Sequence, residues 1–114
     1  MRLAIILALL AQTVMAAPPS TCRVDGAYEA ALCSYQHRRF AEAETAFRVI
    51  VEKGDQNPET LRAMYFLART LMKTGRFAEA GTILVGIYST DRTFYDGWSC
   101  DYLLGECRRA AGRE

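Results

Sequence analysis

Arg39-Phe40-Ala41-Glu42-Ala43 returns letter for letter as Arg76-Phe77-Ala78-Glu79-Ala80, a displacement of 37 residues. The register extends beyond those five positions. Tyr28 falls on Tyr65 and then on Tyr102, Ala31 on Ala68 and Gly105, Thr45 on Thr82, Phe47 on Leu84, and Ile50 on Ile87. Self-similarity at a period of about 20 to 50 residues marks stacked supersecondary units, each unable to bury its apolar face alone.

Working outward from the repeated stretch, each unit reads as two helices. Asn57 is a good N-cap, Pro58 suits the first helical position, and Gly75 ends the run. Between them Leu61, Met64, Tyr65, Leu67, Ala68, Leu71 and Met72 form an apolar stripe at helical spacing. Phe77, Ala80, Leu84 and Ile87 form the stripe of a second helix that ends near Thr90. The earlier unit repeats this with Tyr28 to Gln36, then Phe40, Ala43, Phe47 and Ile50 before Gly54. A last helix is predicted from Thr93 or later to Ala111. The expected fold is all-α, an α-solenoid of about two and a half antiparallel helix pairs with five helices and no strands.

The pattern resembles the tetratricopeptide repeat family, bacterial envelope type. The family's marks are a large and a small residue adjacent in the first helix, a turn Gly, an aromatic opening the second helix, an Ala three residues on and a large apolar residue four further. Here those are Leu67 with Ala68, Gly75, Phe77, Ala80 and Leu84, and in the first unit Ala30 with Ala31, Phe40, Ala43 and Phe47. Arg38 stands in the first unit where the turn Gly belongs, and the period exceeds the family's usual ~34. The segment Asp96 to Gly105 is also similar to cysteine-bearing Sel1-like repeats, which ranks second because their glycine-rich inter-helix turn is missing. Either resemblance implies nearly the same architecture, over residues 24–112.

Met1-Arg2-Leu3 opens an apolar run that closes on the small residues Ala16 and Ala17, the pattern of a cleaved secretion signal. The run is too short for a membrane span of about 20 residues, being cut by Gln12, Thr13 and Pro18-Pro19. The domain plan is therefore a signal peptide over 1–16, an N-terminal extension over 17–23 and the repeat domain over 24–112, in a periplasmic or secreted protein. Without Arg2 the 14 basic and 13 acidic residues come into balance, which gives no basis for a nucleic-acid or membrane-surface partner.

Cys22, Cys33, Cys100 and Cys107 behind a secretion signal favour two disulfides. A metal site is disfavoured: there is no C-x-x-C pair, and His37 is the only histidine. Four cysteines allow three pairings. Because Cys33 and Cys107 are equivalent positions two displacements apart, local pairs are expected, Cys22 with Cys33 and Cys100 with Cys107. The second pair requires the last helix to begin after Cys100, since seven helical residues span ~10.5 Å.

Carrying the family's groove positions over, Tyr28, Tyr35, Arg62, Tyr65, Arg69, Lys73, Tyr102 and Arg109 line the implied concave face. Tyrosine offers a broad ring with a hydroxyl and arginine a fork for carboxylates, so the implied partner is a protein or peptide with acidic groups. The opposing readings are packing for the three tyrosines and a solvated helix face for the cations. The expected function is a protein-protein interaction module. A small self-associating structural solenoid, a homo-oligomer, is the alternative, and a thiol-based redox protein the third. No catalytic residue, metal or cofactor is expected, since no nucleophile or pocket-forming loop accompanies His37 or the Asp25/Glu29 pair.

Overall fold

The computed structural model describes residues 22, 24–55 and 57–113. The signal peptide expected over 1–16 lies outside the described residues, as does most of the extension. Among the described residues there are six helices and no strand: α1 (Ala27–Gln36), α2 (Phe40–Glu52), α3 (Pro58–Lys73), α4 (Phe77–Thr90), α5 (Arg92–Gly97) and α6 (Cys100–Ala111). None of them is long and apolar enough to cross a membrane.

The expected helix starts are in place, with identifiable causes. Asn57 Oδ1 accepts the Thr60 backbone N–H at 2.9 Å, and Pro58 occupies the first turn, where its missing donor costs nothing. The two copies of the repeated pentapeptide open α2 and α4 with nearly the same backbone, φ −91° and ψ 72° at Arg39 and φ −96° and ψ 66° at Arg76. Thr45 and Thr82, one in each copy, donate to the carbonyl four residues back at the same 3.2 Å.

Six helices replace the expected five because the final segment is broken. Asp91 caps a short helix by accepting the Phe94 N–H at 2.9 Å, and Ser99 then turns left-handed at φ 53°. A left-handed non-glycine residue cannot continue a right-handed helix, so α5 ends at Gly97 and α6 begins at Cys100.

Successive helices pack on one another from α1 to α4; α1 also meets α3, α6 lies on α4, and α5 fills the corner between them. Phe47, Leu67, Leu71, Leu84 and Ile87 fill the interior, all 2% exposed or less. Ala31, Ala43, Ala63, Ala68 and Ala80 are fully buried where helices cross. A second layer of attachment is ionic. Arg48 and Arg76 each bridge Glu44 and Glu79, tying α2 to α4 across the displacement.

The carboxyl groups of that network set an acid limit. Burial pushes Glu44 up, but hydrogen bonds from Arg48 and Arg76 outweigh it, and the net pKa is lowered. At Glu79 the hydrogen bond from Arg48 dominates over burial and lowers it too. Folded values below the unfolded ~4.3 mean stability that is present above that pH and lost as pH falls through the folded values. Urea midpoints are expected to decline on acidification below about pH 5, and Glu44→Gln is expected to shrink that decline. An unchanged acid limb in Glu44→Gln shows that the network contributes nothing.

Gly75 adopts φ 81° at the α3–α4 turn, and its equivalent Arg38 is forced to φ 62° at the α1–α2 turn. A Cβ at Gly75 would meet nothing within 4 Å, so any penalty for Gly75→Ala is backbone strain alone. The substitution is expected to cost ~1 kcal/mol by urea denaturation.

Candidate functional site

Helices α1 and α3 lie side by side, and the repeat places aromatic residues of one opposite cations of the other. The Arg62 guanidinium stands 5.4 Å from the Tyr28 ring centroid. Two turns further along each helix, Arg69 lies between Tyr35 and Tyr65, 6.0 Å and 5.8 Å from their ring centres. Arg69 Nη1 also donates to Tyr65 Oη at 3.3 Å. Tyr28 and Tyr65 are buried, while Tyr35, Arg62 and Arg69 are half-buried.

Behind the arginines runs a continuous aromatic bed. Phe66 packs edge-on against Tyr35 and Tyr65 at 5.4 Å and 5.1 Å and stacks on Phe47. Trp98 extends the bed: it meets Tyr65 edge-on at 4.9 Å and stacks on Phe94 at 4.7 Å, while remaining 37% exposed. Such ring pairs add ~0.5–1.5 kcal/mol beyond the area they bury, so the bed is stiff before any ligand arrives.

The electrostatics of this face differ from those of the α2–α4 side. Burial is the largest single effect on Arg69 and works against its charge, but the combined interactions with Tyr65 and Tyr35 outweigh it and the guanidinium is held above its ordinary value. Tyr28 is raised by burial, with Arg62 opposing. Among the described residues no carboxylate forms an ion pair with Arg62 or Arg69, whereas Arg39, Arg48, Arg76, Arg92 and Arg109 are all so paired. Among the described residues the two half-buried guanidinium groups face tyrosine rings and hydroxyls, Tyr28 for Arg62 and Tyr35 with Tyr65 for Arg69, each ring contact being worth ~0.5–2 kcal/mol.

Of the eight residues read as groove-lining, the structure therefore brings five together: Tyr28, Tyr35, Arg62, Tyr65 and Arg69. Lys73 sits exposed in the last turn of α3. Tyr102 is 66% exposed on α6. Arg109 is ion-paired to Glu106 and stands apart from the stacked pairs. Trp98 and Phe66 join this aromatic cluster and are not among the residues that the repeat register picks out. Trp98 lies four residues before Tyr102, and the break at Ser99 puts it against Tyr65 in place of the tyrosine in register. Phe66 was hidden because its neighbour Tyr65 carried the repeat.

The cysteines divide. Cys22 and Cys33 are bonded, with Cα atoms 5.5 Å apart. The expected Cys100–Cys107 bond is absent and both are free thiols. Helix α6 begins at Cys100, so the two residues are held ~10.5 Å apart along its axis, beyond the ~7 Å a disulfide tolerates. A cysteine at a helix start ordinarily has a lowered pKa. Here burial is the stronger effect and pushes the Cys100 thiol up to about 11, with Asp101 adding to it, and Cys107 is raised by burial and Glu106. Both are inert core residues.

No family profile, curated protein or solved structure matches the chain.

Non-reducing peptide mapping is expected to find Cys22 linked to Cys33. A thiol reagent is expected to label neither Cys100 nor Cys107 in the native protein and both in denaturant. Rapid native labelling overturns the assignment of these thiols to the core.

Proposed function

We propose that the protein is a secreted or periplasmic interaction module that binds an acidic segment of another polypeptide across the α1–α3 face, by contact and not by catalysis. The observation that carries this reading is Arg69, half-buried between Tyr35 and Tyr65 with its hydrogen bond to tyrosine and, among the described residues, no carboxylate ion pair. A partly dehydrated guanidinium is a strong site for a carboxylate, because the fork geometry pairs two oxygens and the surrounding low dielectric strengthens the contact. Arg62 offers a second such site two turns away on the same helix, and Trp98 offers an exposed aromatic surface beside Tyr65. An extended peptide with spaced carboxylates and an apolar residue suits that arrangement.

The tetratricopeptide-like stacking belongs to the same proposal. It is supported by the repeated opening geometry of α2 and α4 and by the contact of α1 with α3 across one displacement. Export is supported by the leader-like residues 1–16 and by the Cys22–Cys33 bond, since disulfides persist in oxidising compartments.

Trp98 is the chain's only tryptophan and a built-in reporter. In a fluorescence screen of randomised peptides, binders are expected to be enriched in Asp and Glu, and amide isosteres of a selected binder to lose tenfold or more in affinity, ~1.4 kcal/mol. Arg69→Gln is expected to erase the difference between the acid and its isostere without moving the thermal midpoint by more than a few degrees, while Tyr102→Ala leaves binding unchanged. Equal binding of acid and isostere by the parent protein sinks the proposal.

A further inference from the structure

Cys33 lies in the second half of α1 and His37 directly follows it, so their spacing of four residues sets both side chains on one helix face. Cys22, from the non-helical segment before α1, closes onto that face. His37 Nδ1 lies 3.8 Å from Cys22 Sγ and 3.6 Å from Cys33 Sγ. The donor atoms of the three residues all fall within 4.8 Å of one another. Cys22 is buried, Cys33 half-buried and His37 exposed, so the cluster is open to solvent on the histidine side. Two thiols and an imidazole at this separation are the donor set of a borderline or soft cation.

We propose that Cys22, Cys33 and His37 form a metal site for Zn2+ or a similar thiophilic cation whenever the disulfide is open, so that metal and S–S bond are alternative occupants of one corner. Opening is a two-electron step: two thiols of a reductant become a disulfide, and their two electrons and two protons convert Cys22 and Cys33 to thiols. Metal binding then releases both thiol protons as two metal–sulfur bonds form. In the oxidised protein His37 Nδ1 carries a proton and donates it to the Cys33 carbonyl oxygen at 2.9 Å. Ligation through Nδ1 requires that proton to shift to Nε2 and that hydrogen bond to break.

The local backbone permits the change. Two sulfurs on one tetrahedral Zn2+ sit roughly 3.8 Å apart, given bonds of ~2.3 Å, so they must separate from bonding distance. Cys33 and His37 are fixed by α1, whereas Cys22 lies outside any helix. Three protein donors leave one tetrahedral position for water or for a group from a partner. The other two thiols cannot compete, because Cys100 and Cys107 are at most 1% exposed and burial holds their protons on.

The test uses the full chain reduced by a phosphine, which takes up oxygen from water as the disulfide becomes two thiols, then desalted without air and titrated with Co2+. Expected are a thiolate-to-cobalt charge-transfer band and the visible bands of tetrahedral Co2+ at one equivalent, both lost on adding Zn2+. Cys22→Ser is expected to lose about half the charge-transfer intensity, and His37→Ala to keep it while weakening Zn2+ binding tenfold or more. Cys107→Ser and the oxidised protein serve as the unchanged and the silent controls. A reduced parent with no bands overturns the proposal whether or not its helical dichroism persists, as do bands that survive intact in Cys22→Ser or an affinity that does not move in His37→Ala.

Discussion

The structure depends on how closely its helices approach at alanine. Ala31, Ala63 and Ala68 on the first helices and Ala43 and Ala80 on the second are all fully buried. Helices that meet at such positions sit near the short end of the usual ~8–10 Å separation. Only at that separation can Phe47, Leu67, Leu71, Leu84 and Ile87 reach across and close the interior without voids. A larger residue at an alanine crossing would push two helices apart and empty contacts made by five others. The small residues thus set the geometry, and the large ones supply the burial energy that rewards it.

The same approach builds the aromatic face. Because α1 lies against α3, rings projecting from one helix are within cation–π distance of guanidinium groups on the other. Packing and recognition are then not competing explanations for the tyrosines. Tyr28 and Tyr65 are buried and belong to the core cluster, yet each presents its ring to an arginine that is only half-buried. The core holds the rings in place, and the rings hold the charges at the surface.

Most of the helical content was legible because it rests on local signals: the apolar stripe, Asn57 with Pro58, Gly75 and the exact return of the pentapeptide. The division of the last helix was not. Asp91 as a cap and Ser99 in a left-handed turn depend on a backbone choice that nothing in the composition of Thr93 to Cys100 announces, and serine is an uncommon residue for it. That one turn accounts for two departures together: it adds a helix and puts Trp98 in place of Tyr102 beside Tyr65. It falls one residue too early to free Cys100, which opens α6 and stays a helical span away from Cys107. Extrapolating a repeat assumes that each copy keeps the same breaks, and the third copy does not. The Cys22–Cys33 bond was legible because both partners lie in or before a single helix, upstream of that failure.

Charge balance shows a different limit of sequence reading. Nearly equal numbers of bases and acids, 14 and 13, give no protein-wide field, and the near-neutral total gives no hint of a local cationic face. The total conceals how the charges are allocated. Glu44 and Glu79 are consumed by Arg48 and Arg76 on the α2–α4 side, where two acids and two bases cancel within one network. Arg62 and Arg69 are left to tyrosine rings, which stabilise a cation without neutralising it. A guanidinium in that position keeps its full charge and has already lost part of its hydration, so a carboxylate that reaches it meets less of the desolvation cost that makes exposed ion pairs weak. A local cationic face can therefore be a property of two residues on a protein with almost no net charge, and it is half-burial against tyrosine rings that sets these two apart from the ion-paired arginines.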